Sequence, residues 1–135
     1  MTEADIRLFI GASDNTHPVH VDREYCRRHP AVDDCVVQGC LVLGAVDGFM
    51  AREVLPVDVP VLHYGYDKVR FIKPVYPGDT VHCETVLTEK RIRDERFGVI
   101  CWEINVFNQR GETVLFAVDR QYVARNQRAE CSSPD

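Results

Sequence analysis

The spacing of hydrophobic residues changes once along this chain, at about residue 61. Upstream of that point, apolar residues recur at intervals of three and four positions, as they do on one face of a helix. Downstream, apolar residues alternate with polar ones, as they do in half-buried strands. The pattern therefore predicts a first half that is helical and a second half that forms a sheet.

The first half contains three predicted helices. A short amphipathic helix over residues 3–12 begins with a capping-box pattern formed by Thr2 and Asp5. A second short helix follows Asp22, whose side chain suits the N-cap position. Residues 39–53 predict a longer helix that is apolar on nearly every side, and such a helix has to be buried.

The second half contains four long predicted strands. They are Val61 to Ile72, Thr80 to Ile92, Phe97 to Asn108 and Thr113 to Ala124. Short turns separate them, which favours an antiparallel sheet. A sheet that wraps one apolar helix is a single α+β domain, predicted here over residues 1–124. Residues 125–135 are polar and predict a frayed C-terminal tail.

Composition and charge narrow the functional class. The 135 residues are 45% hydrophobic and 27% charged, which is typical of one soluble globular domain. A net charge of −5 without a basic cluster argues against a nucleic-acid partner. The chain has neither an apolar stretch of membrane length nor a charged leader before an apolar run, so we expect no membrane association and a cytoplasmic location.

The cysteines and histidines predict no bound metal. Six cysteines occur without C-x-x-C or other zinc-type spacing, so we expect reduced thiols. His17 and His20 could both ligate a metal ion from one stiff turn, but the spacing indicates no third ligand.

The densest group of proton-handling side chains lies at residues 13–22, SDNTHPVHVD. Pro18 fixes its own φ and biases His17 towards an extended conformation, so we predict a rigid turn rather than a helix. The same residue types also form caps and turns between ordinary helices. Spacing alone therefore leaves a purely structural role open.

This stretch resembles the hydratase signature of the MaoC-like (R)-specific enoyl-CoA hydratase family, S-G-D-x-N-P-[hydrophobic]-H-x-D. Two further segments resemble family patterns and occur in the family's order: residues 2–10, TEADIRLFI, and residues 71–80, FIKPVYPGDT. The resemblance extends from residue 2 to about residue 124. It implies a hotdog fold, in which an antiparallel sheet wraps a central helix.

The resemblance also implies an oligomer. Family members carry a β-strand before the first helix, and this chain shows no counterpart of that strand. A bare sheet edge invites pairing with another chain, and hotdog proteins commonly dimerise by joining their sheets. We therefore expect a homodimer or a higher homo-oligomer.

The implied activity is interconversion of a 2-enoyl thioester and an (R)-3-hydroxyacyl thioester. The acyl group would be carried by coenzyme A or acyl-carrier protein, and no cofactor would be needed. The family holds one water between an aspartate and a histidine, and a glycine N–H faces the thioester oxygen. By this resemblance His20 takes the histidine position and Gly39 the glycine position, although Gln38 replaces the family's usual histidine before that glycine.

The chain departs from the family at the aspartate. Asn15 occupies that position, and His17 occupies the position of the family's asparagine. A carboxamide can orient water but cannot accept its proton, so acid–base chemistry would rest on His20, with help from His17 or Asp14. A backbone-bonding role for His17 and a close-packing role for Gly39 stay open.

Three alternatives accompany this interpretation. Asp47 in the apolar helix is an outside catalytic candidate, although a surface carboxylate or a pair with Arg52 explains it more simply. The hotdog scaffold also hosts acyl thioesterases, and fold does not determine function. Asn15 and the missing strand also fit a non-catalytic thioester-binding subunit of a heteromer.

Overall fold

Four α-helices and a π-helical turn precede a four-stranded sheet in the computed structural model, which describes residues 1–125. The helical elements are α1 (Glu3–Ser13), α2 (Pro18–Val21), α3 (Arg23–Arg28) and α4 (Gly39–Phe49), with the π-helical turn at Met50–Val54. The strands are β1 (Val61–Phe71), β2 (Val81–Ile92), β3 (Phe97–Asn108) and β4 (Thr113–Ala124). The predicted division into a helical and a sheet-forming half is confirmed.

Side-chain caps begin two of the helices as the sequence predicts. The Thr2 N–H donates to Asp5 Oδ2 at 2.7 Å, and the Asp5 N–H donates to Thr2 Oγ1 at 3.2 Å, which completes the capping box of α1. Asp22 Oδ1 accepts from the N–H groups of Glu24 and Tyr25 and so caps α3. These caps determine where both helices begin.

The four strands form one antiparallel sheet in the order β1-β4-β3-β2. Together with α4 they build the hotdog fold, which confirms the predicted α+β class. Within residues 1–125, no strand precedes α1. The two edges of the sheet are therefore β1 and β2.

The hydrophobic core lies between α4 and the inner face of the sheet. Its buried members are Ile6, Val37, Val42, Val46, Met50, Val75, Ile104, Val106, Val114, Leu115 and Ala117. Burying one such aliphatic side chain stabilises a fold by about 1.5–3 kcal/mol. α4 buries Val42 and Val46 in this core, whereas its residues Cys40, Gly44 and Asp47 are exposed.

Two local predictions are corrected. Pro18–Val21 forms a helical turn rather than the predicted non-helical one, because proline at the first helical position loses no hydrogen bond. His17 before it is extended, with φ −56° and ψ 134°, as expected for a residue that precedes proline. The helix predicted over 39–53 changes to π-helical geometry after Phe49, where the Leu55 N–H donates to the Met50 carbonyl at 2.9 Å.

The chain beyond β4 is described for one residue only. The Arg125 N–H donates to the Arg96 carbonyl at 2.8 Å. The rest of the predicted tail, 126–135, lies outside the described residues. None of the helices in residues 1–125 combines the length and the apolar character that crossing a bilayer requires.

Candidate active site

His20 lies on the last turn of α2 and is held by the segment that leads into α4. Its Nδ1 atom is 2.7 Å from the Val36 carbonyl oxygen. The Val36 N–H in turn donates to the Val19 carbonyl at 3.0 Å. Two hydrogen bonds therefore connect α2 with Val36, one to its carbonyl and one from its N–H. They give the imidazole a defined orientation.

The contact with Val36 also decides which ring nitrogen carries the proton. A carbonyl oxygen can only accept, so His20 Nδ1 must donate. In the neutral imidazole, Nε2 is then the nitrogen with a free lone pair. Among the described residues Nε2 has no protein partner, so it is available to take a proton from a water molecule.

A cavity of about 380 Å³ brings three of the predicted site residues together. Asn15, His20 and Gly39 all line it. The remaining wall is mostly apolar and consists of Val36, Val37, Cys40, Val42, Phe71, Ile72, Lys73, Pro74, Val75, Val114 and Leu115. This volume lies within the range of small-molecule sites, which combine an apolar wall with a few convergent polar groups.

Gly39 is the first residue of α4 and lies close to the aromatic ring of Phe71. A Cβ atom added at Gly39 would lie 2.7 Å from Cε1 of Phe71. The first N–H groups of a helix lack acceptors within the helix, and in residues 1–125 the Gly39 N–H has no protein acceptor. Gly39 therefore combines close packing with an N–H group suited to a developing negative charge.

Gln38 occupies the N-cap position of α4 without capping it. Its side chain is buried, and neither Oε1 nor Nε2 finds a hydrogen-bond partner within the described part of the chain. Gln38 does not line the cavity that contains His20.

His17 and Asp14 lie outside the cavity wall. His17 Nδ1 accepts from the Val19 N–H at 3.2 Å, so this exposed side chain caps α2. Asp14 is exposed and has left-handed backbone geometry, with φ 55° and ψ 22°, where it ends α1. Both residues shape the turn around the cavity, but neither side chain forms its surface.

A larger polar cleft of about 850 Å³ also touches His20 but contains neither Asn15 nor Gly39. Three arginines and three carboxylates line it: Arg7, Arg23, Arg110, Glu3, Asp33 and Asp34. Arg23 donates to Glu3 at 2.8 Å, so these charges already neutralise one another in part. Only the smaller, apolar cavity brings Asn15 and Gly39 together with His20 in the part of the chain that the structure describes.

The suggested pair between Asp47 and Arg52 is not formed. Asp47 Oδ1 instead accepts from the Tyr66 hydroxyl at 2.5 Å and lies 3.6 Å from His63 Nδ1. Burial and this hydrogen bond raise the pKa of Tyr66. Arg52 lies over the Phe49 ring. Asp47 belongs to a polar cluster that sequence analysis missed.

That cluster continues to a buried carboxylate on β4. Asp119 is fully buried, and its Oδ1 atom lies 3.6 Å from Nε2 of His63. Its Oδ2 atom accepts from Gln121 Nε2 at 2.8 Å. Burial raises the pKa of Asp119, and the charge of Asp47 adds to that effect. The inward spacing of Leu115, Ala117 and Asp119 on a period of two was the available sequence signal.

No group of three or more histidine, cysteine or acidic side chains in residues 1–125 is arranged to hold a metal ion. The described cysteines are free thiols: Cys26, Cys35, Cys40, Cys83 and Cys101. Cys131 lies outside the described residues.

Comparison with known proteins gives a consistent set of relatives. A family model described as a MaoC like domain matches residues 1–103. Protein MaoC of Klebsiella aerogenes is 32% identical over 97 residues, which make up 71% of this chain and 28% of that protein. The match therefore spans less than a third of the length of that protein.

Solved structures show the same fold. The monoamine oxidase regulatory protein from Archaeoglobus fulgius is 32% identical with a TM-score of 0.86, covering 93% of this chain and 84% of that one. The (R)-hydratase from A. caviae involved in PHA biosynthesis is 20% identical with a TM-score of 0.75, covering 90% of this chain and 86% of that one.

Proposed function

Because the chain belongs to the MaoC-like hydratase and dehydratase family, we propose that it interconverts a 2-enoyl thioester and an (R)-3-hydroxyacyl thioester. One observation carries this proposal. The Nε2 lone pair of His20 is free while Nδ1 is bonded to Val36, and His20 shares an apolar cavity with Asn15 and Gly39. The cavity thus offers a base, a carboxamide and a helix N-terminus.

The reaction uses each of these groups in turn. The Asn15 carboxamide holds a water molecule, and His20 Nε2 takes a proton from that water as its oxygen bonds to C3. The C2–C3 π electrons move towards the thioester oxygen, and the enolate that forms is stabilised at the Gly39 N–H and the α4 dipole. His20 then returns the proton to C2. The reverse sequence is the dehydration.

The apolar wall of the cavity suits the acyl chain. Val42 of α4, Leu115 of β4 and Ile72, which follows β1, all line it. Apolar substrate surface removed from water contributes about 25 cal/mol per Å². The acyl chain and its thioester carrier, coenzyme A or acyl-carrier protein, would together form the substrate.

We propose a homodimer as the working form. The outer edge of β1 has no strand beside it among residues 1–125, and Leu62 on β1 is 67% exposed. Phe71, which lines the cavity, is 54% exposed and lies at the end of the same strand. Joining two β1 edges would satisfy backbone groups and cover apolar surface. Analytical ultracentrifugation should give twice the chain mass, and Leu62→Glu should shift the population to monomer.

The activity is tested by following the loss of the conjugated double bond in crotonyl-CoA and in longer enoyl-CoA and enoyl-carrier-protein substrates. Chiral analysis of the product should give the (R) alcohol. Released free thiol with the double bond unchanged would indicate a thioesterase instead. Absence of turnover on every enoyl and 3-hydroxyacyl thioester would contradict the proposal.

A second candidate rests on Asn15. Since this position lacks a carboxylate, the chain is also suited to bind a thioester as the non-catalytic subunit of a heteromer. Co-purification as an obligate heteromer, with turnover only in the complex and unaffected by His20→Ala, would favour that role. A homodimer that turns over substrate would exclude it.

A further inference from the structure

Two buried cysteines face one another beside the turn that holds His20. Cys26 comes from α3 and Cys35 from the segment before α4, and their Sγ atoms are 3.4 Å apart. Cys26 is fully buried. A disulfide needs a sulfur–sulfur distance of about 2.05 Å, so the two atoms have to approach by only about 1.4 Å.

Both cysteines are connected to the candidate catalytic histidine through the backbone of Val19 and Val36. Cys26 Sγ donates to the Val19 carbonyl at 3.3 Å, and the same carbonyl accepts the Val36 N–H at 3.0 Å. Cys35 immediately precedes Val36, whose carbonyl oxygen accepts from His20 Nδ1 at 2.7 Å. Any movement of Cys35 towards α3 is therefore passed to the acceptor that orients His20.

We propose that Cys26 and Cys35 are a redox-sensitive pair, and that their oxidation by a peroxide or a small disulfide links α3 to the segment that orients His20. The reduced pair permits the His20 geometry described above. The disulfide draws Cys35 towards α3, moves the Val36 carbonyl and changes the direction of the His20 ring.

The peroxide route balances without a further reactant. The Cys35 thiolate attacks one peroxide oxygen, the O–O bond breaks, and a sulfenic acid and a hydroxide ion form. The hydroxide takes up the proton that Cys35 released and becomes the first water. The Cys26 sulfur then attacks the sulfenic sulfur, the S–S bond forms, and a second water leaves with the Cys26 proton. The two thiols together lose two electrons and two protons, and hydrogen peroxide is reduced to two waters.

Access favours Cys35 as the thiol that reacts first. Cys35 lines the 850 Å³ cleft, whereas Cys26 lies behind it without exposed surface. Burial and the hydrogen-bonded contact with the Cys26 thiol raise the pKa of Cys35 to about 11. Because the thiolate is the reacting form, oxidation should be slow at neutral pH and should accelerate as the pH rises.

The cross-link is tested on the full chain without reference to enzymatic turnover. The reduced protein is treated with hydrogen peroxide, or with oxidised glutathione, at two pH values and alkylated after denaturation. Peptide mapping should find residues 26 and 35 in one linked species, lighter by two hydrogen atoms and restored by dithiothreitol. Exposed Cys40 reports that the oxidant reached the protein.

Variants separate this pair from the other thiols. Cys26→Ser and Cys35→Ser should each abolish the linked species, and Cys83→Ser on β2 should retain it. If either serine variant fails to fold, differential alkylation of the unmodified chain still decides. Recovery of both Cys26 and Cys35 as free thiols, under conditions that oxidise Cys40, would overturn the proposal.

The change in the orientation of His20 on oxidation can be measured by NMR. The imidazole Cε1–H resonance of His20 should shift on oxidation and return on reduction, and it should not shift in Cys26→Ser.

The effect on turnover rests on the proposed function. A displacement of about 1 Å at a catalytic group can cost on the order of 10²-fold in rate, so the linked protein should be at least about tenfold slower. A cross-linked protein with an unchanged His20 resonance would refute the coupling between the pair and the site.

Discussion

The Nδ1 atom of His20 and the carbonyl oxygen of Val36 are 2.7 Å apart. Because the acceptor is a backbone atom, no substitution at Val36 can delete it. The orientation of the imidazole therefore depends on the position of the segment between α3 and α4 that contains Val36. Both cysteines of the proposed redox pair are attached to that segment or to its partner Val19. The orientation of His20 therefore depends on how the two cysteines pack.

Replacing His20 should remove the base with little effect on folding. His20→Gln keeps an N–H that can reach the Val36 carbonyl but has no titratable nitrogen, so the rate should fall by about 10²–10⁴ while the Tm stays close to that of the unmodified chain. His82→Gln, on exposed β2 surface, is the matched control and should retain the rate. A folded His20→Gln or His20→Ala protein with a near-native rate would refute the role of His20.

His17 should contribute mainly to stability. Its Nδ1 atom accepts from the Val19 N–H and caps α2. Loss of an N-cap costs about 1 kcal/mol, so His17→Ala should lower the free energy of unfolding by roughly that amount. His17→Asn preserves a capping acceptor and should recover the stability. Urea denaturation measures both, and a rate loss in His17→Asn as large as that of His20→Gln would show that the imidazole itself is needed.

Asp119 should make the fold less stable as the pH rises. Burial raises its pKa, so between the unfolded and folded pKa values the folded state binds more protons than the unfolded state. Stability is then highest below the unfolded pKa and declines as the pH rises through the folded pKa. Asp119→Asn removes this titration, so its Tm advantage over the unmodified chain should grow from acid to neutral pH. A Tm difference that is constant with pH would contradict the assignment.

Much of the fold follows from local pattern. The four strands and the capped starts of α1 and α3 depend on alternation and on side chains a few residues apart, both of which the sequence displays. The short helical turn Pro18–Val21 differs from the predicted non-helical turn, because the extended conformation that proline imposes on His17 ends there and the first turn of a helix accepts proline itself.

The sequence predicted only some of the residues that form the candidate site. The resemblance predicted Asn15, His20 and Gly39, and the fold places all three on one cavity. The cluster around Asp119 and the pair Cys26 and Cys35 depend on contacts that no spacing rule predicts, such as Asp47 with His63 across the helix–sheet interface. Long-range packing, rather than any local motif, creates both.

Gly39 can be tested for its close packing. Gly39→Ala places a Cβ 2.7 Å from the Phe71 ring, so Phe71 must move within the cavity wall and KM should rise. Gly44→Ala in the same helix meets no atom within 4 Å and should stabilise the chain by about 0.5–1 kcal/mol without changing KM. The double variant Gly39→Ala with Phe71→Leu should recover KM. Failure of that recovery would show that the close approach of Gly39 to Phe71 is not what limits substrate binding.

Asn15 distinguishes two explanations of the departure from the family. If its carboxamide holds the reacting water while His20 alone exchanges protons, Asn15→Ala should reduce the rate by about 10²-fold or more with a small change in Tm. Asn15→Asp is the sharper change, because it restores the family's pair of proton-handling groups. For an ordinary enoyl thioester, Asn15→Asp should raise the rate and add the titration of a carboxylate to the pH profile of kcat/KM.

A lower rate in Asn15→Asp would indicate a different kind of substrate. If the natural substrate itself carries a carboxylate or hydroxyl near the double bond, a negative charge at residue 15 should repel or misorient it, and activity on that substrate should fall while activity on crotonyl-CoA rises. Paired measurements on an unsubstituted and a carboxylate-bearing enoyl thioester separate the two explanations. If neither Asn15→Ala nor Asn15→Asp changes either rate, Asn15 lies in the cavity wall without touching the reacting water, and the proposed alignment of residues 13–22 is wrong.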